Sequence, residues 1–89
     1  MRYIELLIND RSINGDKQID EILTSKGFYW LVDSEIENSK IEIKNNTIIW
    51  YEGTFYSGRW EFGIFKDGIF HGEWINGIFE GGKYKGSGM

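Results

Sequence analysis

The chain has 89 residues, a net charge of −4 and a pI near 4.9, with no cysteine, no proline and one histidine. That excludes a disulfide framework, leaves any zinc site to carboxylates and His71 alone, and argues against a nucleic-acid binder that relies on a general positive field. A chain this short buries only about 60–65% of its unfolded surface, so its six Phe, five Tyr and four Trp must supply much of the core.

Residues 2–8 read as a strand, with Ile4, Leu6 and Ile8 alternating against Tyr3, Glu5 and Leu7. No secretory signal is recognisable there and no stretch is long enough to span a bilayer, so a cytoplasmic location is expected. Asn9 to Gly15 reads as a polar connection, with Asn14-Gly15 as its turn. Residues 16–26 read as a short helix with Asp16 as N-cap, an apolar stripe of Ile19, Ile22 and Leu23, and Gly27 at the left-handed C′ position. The apolar run Phe28-Tyr29-Trp30-Leu31-Val32 suits a strand covered on both faces. Asp33 to Ser39 reads as a charged turn or edge. Lys40 to Lys44 alternates, Asn45-Asn46 can take positive φ, and Thr47 to Trp50 returns, so residues 40–51 form a hairpin.

From there an aromatic recurs at Trp50, Phe55, Trp60, Phe65, Phe70, Trp74, Phe79 and Tyr84, every fifth residue except for one four-residue step after Phe70. Such a period fits neither a helix nor one continuous strand, because successive aromatics would land on different faces. The chain must turn once per unit, and Ser57-Gly58, Asp67-Gly68 and Asn76-Gly77 are turn dipeptides at the right places. Two architectures satisfy this: a ladder of short antiparallel hairpins, or a parallel solenoid with one side per repeat and a glycine near each corner. The two-residue turn signals favour the hairpins. The expected fold is α+β, mostly β: a short N-terminal strand-helix-strand unit, then a hairpin and an antiparallel repeat sheet of glycine/aromatic pentads. Residues 1–89 are expected to form a single domain, with an α/β cap over 1–49 and the repeat over 50–86.

Tyr51-Glu52-Gly53-Thr54-Phe55-Tyr56-Ser57-Gly58 resembles the core of the MORN repeat, and Gly72-Glu73-Trp74-Ile75-Asn76-Gly77 resembles part of the same motif. The resemblance covers residues 50–86 and implies a β-hairpin sheet with protein–protein and, more distantly, lipid-associated roles. The segment Gly63-Ile64-Phe65-Lys66-Asp67 also resembles the pentapeptide-repeat solenoids.

Chemistry is sparse. His71 reads as a polar turn residue, and Asp33, Glu35 and Glu37 as a solvated acidic cluster rather than a cation site. No nucleophile elbow or phosphate loop is present. A non-enzymatic module without cofactor or metal is therefore expected. If the periodic aromatics fill the core, Tyr51, Tyr56 and Phe62 point elsewhere and, with Arg59, form a candidate partner-binding patch. The expected partner is a protein or a second copy, with no direct nucleic-acid binding and with membrane binding disfavoured by the charge. The alternative is a small phage-type inhibitor that blocks a larger host protein, through acidic nucleic-acid mimicry.

Overall fold

The computed structural model describes residues 1–89. Strand β1 (Tyr3–Ile8) turns at Asn9 and Asp10, both at positive φ, into the short strand β2 (Arg11–Ile13). The expected polar connection thus contains a strand. Helix α1 (Asp16–Ser25) follows, then the single-turn helix α2 (Tyr29–Val32). Strand β3 (Glu35–Lys44) lies parallel to β1 and antiparallel to β4 (Thr47–Ser57). Six two-residue strands complete the chain: β5 (Arg59–Trp60), β6 (Ile64–Phe65), β7 (Ile69–Phe70), β8 (Glu73–Trp74), β9 (Ile78–Phe79) and β10 (Lys83–Tyr84). The fold is α+β and mostly β.

The N-terminal unit follows the sequence with three corrections. In β1, a bulge between Tyr3 and Glu5 shifts the alternation, so Tyr3 and Leu6 are buried and Ile4 faces outward. Asp16 does not cap α1. Gly15 holds the N-cap position, and the Asp16 carboxylate accepts the backbone N–H groups of Arg2 and Tyr3 at 3.0 Å each. The run from Phe28 to Val32 is not a strand. Both edges of β1 are already occupied, by β2 and β3, so an extra strand has no inner position to enter. A connection between parallel neighbours must instead cross over one face of the sheet. The apolar run lies in that crossover as one helical turn that buries Leu31. Arg2 fixes this turn by donating to the carbonyls of Leu31, Val32 and Ser34.

The hairpin is as expected at its tip, with Asn45 and Asn46 at φ 53° and 57°. It is longer than expected, because the acidic stretch from Glu35 is part of β3 and pairs as far as Ser57.

The repeat is a parallel solenoid, which corrects the expected antiparallel sheet. Trp50 pairs with Phe65 and Phe55 with Phe70, fifteen residues on; Trp60 pairs with Trp74, Phe65 with Phe79 and Phe70 with Tyr84, fourteen on. Each coil therefore has three sides with one inward aromatic apiece. A glycine at each corner lets every side present its aromatic inward. Gly68 shows why no other residue serves there: its φ is +120°, and a Cβ would lie 2.3 Å from the Gly53 carbonyl of the coil beneath. Hairpins fail on the same ground, since a two-residue strand buries too little unless a neighbour of identical shape lies directly on it.

The aromatics pack by one rule. Register partners in successive coils stack face to face: Trp50 on Phe65 at 5.4 Å, Phe65 on Phe79 at 5.1 Å, Phe55 on Phe70 at 4.9 Å, Phe70 on Tyr84 at 5.6 Å, and Trp60 on Trp74 at 5.5 Å. Within a coil they meet edge to face, as Trp50, Phe55 and Trp60 do in the first. Each such contact is worth about 0.5–1.5 kcal/mol beyond simple burial. The four-residue step is not a defect of the second coil. Gly72 lies over Gly58 and under Gly86, so fourteen residues is the regular coil. The extra residue is Ser57 in the first coil, where it pairs with Glu35.

The two halves share one hydrophobic core. Strand β3 covers sides one and two of the first coil through its ladder with β4. Trp30 of α2 covers side three, edge-on to Trp60 at 4.9 Å. At the opposite end β9 and β10 each pair along one edge only.

Candidate interaction surface

Because the coils stack in register, outward residues also form columns. On side two, Tyr56 lies against His71 with ring centroids 6.1 Å apart and planes 7° from parallel. Lys85 follows Tyr84 in the next layer of that column. On side three Arg59 meets Glu73 at 3.2 Å, and on side one Lys66 meets Glu80 at 3.6 Å.

The four candidate residues do not form one patch. Tyr51 is on side one, partly buried, and its hydroxyl donates to Glu42 across the β3–β4 ladder. That hydrogen bond, with partial burial, pushes the Tyr51 phenol up to about 12. Its acceptor is an internal one, so its hydroxyl is committed to the fold. Tyr56 is 46% exposed, and its hydroxyl reaches Glu37 at 3.4 Å. Arg59 lies around the Ser57-Gly58 corner from Tyr56, with an exposed side chain. Phe62 is 53% exposed in the loop between β5 and β6, at the following corner. Only Tyr56 and Arg59 flank a common corner.

Two further residues join them. His71 and Glu73 are brought to the same corner by the second coil, fifteen residues after Tyr56 and fourteen after Arg59 respectively. The sequence carried that signal in the aromatic period, but a hairpin register places neither residue beside Tyr56 or Arg59. A hollow of about 220 Å³, lined by Trp30, Asp33, Gly58, Arg59 and Glu61, opens between α2 and side three. It is smaller than the roughly 300–1,000 Å³ of typical small-molecule sites. The largest hollow lies along α1 alone, lined by Lys17, Asp20, Glu21, Thr24 and Ser25, and has no second wall.

The acidic cluster is divided by the fold. Asp33 follows α2 as its C-cap, while Glu35 and Glu37 lie in β3. No group of three or more His, Asp or Glu side chains is arranged to hold a metal ion. Elsewhere carboxylates are tied to neighbours: Glu5 accepts from the Ser12 hydroxyl, which holds its carboxyl below the usual range, and also meets Lys40 at 3.3 Å. No helix is long and apolar enough to cross a membrane.

Compared with known proteins, the chain matches no family model, no curated protein and no solved structure.

Proposed function

We propose that this chain is a non-enzymatic interaction module that engages a protein partner through the corner formed by Tyr56, His71, Arg59 and Glu73. The observation that supports it is the division of the aromatics. The periodic ones from Trp50 to Trp74 are buried in the tube, whereas Tyr56 stands half exposed on a rigid frame, backed by His71 and flanked by Arg59. Tyr and Arg are the residue types that dominate interface hot spots, and a rigid frame lowers the ordering cost of binding. Tyr51, whose hydroxyl is spent internally, supports the frame rather than the contact, and Phe62 lies outside this corner.

The test is affinity capture from extracts of the native host with wild type, Tyr56→Ser, Arg59→Ser and Phe62→Ser, each checked for unchanged melting temperature. A partner retained by wild type and Phe62→Ser but lost with the other two variants is the expected result. Equal retention by wild type and all three variants, or no retention by any of them together with a strict monomer in light scattering, counts against it.

A further inference from the structure

We propose that the open end of the solenoid accepts an extended segment of a partner protein as a further coil, with aromatics over Phe79 and Tyr84 and carboxylates over Lys83 and Lys85. This surface adjoins the Tyr56 corner where Lys85 lies over His71, but it includes neither Tyr56 nor Arg59. Strands β9 and β10 each have one free edge, so their outer backbone groups are available for strand addition. The apolar seat is also incomplete. Phe65 and Phe70 are fully buried beneath the last coil, whereas Phe79 and Tyr84, the last rings of their stacks, are partly exposed. Ile78, on the rim, is largely exposed as well.

The columns specify the occupant's charge. Two stacked pairs are of opposite sign and in ion-pair contact, Arg59 under Glu73 and Lys66 under Glu80, whereas Glu52 under Asp67 is a like-charge column. Lys83 and Lys85 lie over Ile69 and His71 and have no carboxylate within ion-pair distance. Two unpaired lysines on the outer edge call for carboxylates over them, and Glu80 beside them calls for a base, as in the two opposite-charge pairs below. A second copy fits this end poorly. A coil climbs one strand spacing, about 4.8 Å, over its three sides. A two-fold mate therefore seats evenly only with the middle side, β10, on its own equivalent. That antiparallel pairing sets Tyr84 opposite Tyr84 and Lys83 opposite Lys85 twice over, like charges on an edge strand.

The second coil supplies the probe. Ile64-Phe65-Lys66-Asp67-Gly68-Ile69-Phe70-His71 already lies against β9 and β10 from below. The peptide Ile-Phe-Lys-Asp-Gly-Glu-Phe-Glu keeps its aromatics, its base and its corner glycine, and places carboxylates over the two lysines. A control peptide carries lysines at those two positions. Both are titrated into the ¹⁵N-labelled full chain. The expected result is shifts centred on residues 78–85, about tenfold tighter binding of the acidic peptide, from two opposite-charge pairs replacing two like-charge ones, and a reversed preference in the Lys83→Glu/Lys85→Glu double variant. Tyr56→Ser leaves this binding unchanged, which separates it from the corner surface. Equal affinity for the two peptides, shifts centred on the Tyr56 corner, no shift at millimolar peptide, or a dimer in light scattering with residues 78–85 protected would overturn the proposal.

Discussion

Replacing Gly68 with alanine measures how closely the coils approach. Two costs are expected. The first is conformational, since φ +120° is a region that side-chain-bearing residues rarely occupy, at about 1–3 kcal/mol. The second is steric: the new Cβ lies 2.3 Å from the Gly53 carbonyl, so the two coils must part by about 1 Å to reach ordinary contact. Neighbouring inter-coil bonds such as Lys66 N–H to Trp50 carbonyl, now 2.8 Å, would stretch past hydrogen-bonding range. Losing one or two of them adds about 1–3 kcal/mol. Gly15→Ala is the control, because Gly15 has φ +99° but nothing within 4 Å of its Cβ position. Urea unfolding is expected to show Gly15→Ala paying only the conformational cost and Gly68→Ala losing about 1–3 kcal/mol more. Against a total of roughly 5–13 kcal/mol for a chain of this size, that excess shifts the melting temperature by about 4–8 °C per kcal/mol. Equal losses for the two variants would refute the stacked-coil geometry, since an antiparallel hairpin puts no neighbouring carbonyl at that distance.

Arg2→Lys is expected to destabilise by about 1–3 kcal/mol in the same assay, because an ammonium cannot reproduce a fork that serves Leu31, Val32 and Ser34 together. At acid pH, the Asp16 carboxyl is held below its usual value, first by the Arg2 backbone N–H. Its contribution is therefore present above the unfolded carboxylate pKa and lost as pH falls through the folded one, and Asp16→Asn should flatten that limb of the pH–stability curve. At alkaline pH the sign reverses: Tyr51, raised to about 12 chiefly by Glu42, favours the fold until pH passes the unfolded value near 10. Stability then declines between about 10 and 12, and Glu42→Gln should bring the Tyr51 ultraviolet titration back toward its ordinary range. Trp30→Ala should cost about 3–5 kcal/mol, since it uncovers Trp60 at the capped end.

What the sequence made legible was periodic or local. Helix α1 and its Gly27 terminus, the Asn45-Asn46 hairpin and the inward set from Trp50 to Tyr84 all follow from side-chain spacing or turn chemistry. Pairing partners were not legible. The same Gly-aromatic pentads can pair forward in a hairpin or fourteen residues away in a coil, and nothing in one pentad distinguishes the two. Phe28–Val32 was misassigned because a five-residue apolar run buries equally well in a strand or a helical turn. The deciding fact was the occupancy of both β1 edges, a property of the whole sheet. The candidate patch suffered similarly. Tyr51, Tyr56, Arg59 and Phe62 are near in sequence, but a chain that turns a corner every five residues carries them around the tube.

The cap has a consequence for how the molecule comes apart. Each coil touches only the layers beside it, and the first layer alone is held by β3 and Trp30. Opening free energy should therefore be graded along the axis. Amide hydrogens of β4 should exchange only through global unfolding, those of β6 and β7 through loss of the outer coil, and those of β9 and β10 through fraying. Folding should run in reverse, with the N-terminal unit as template and the coils laid down in the order in which they are synthesised.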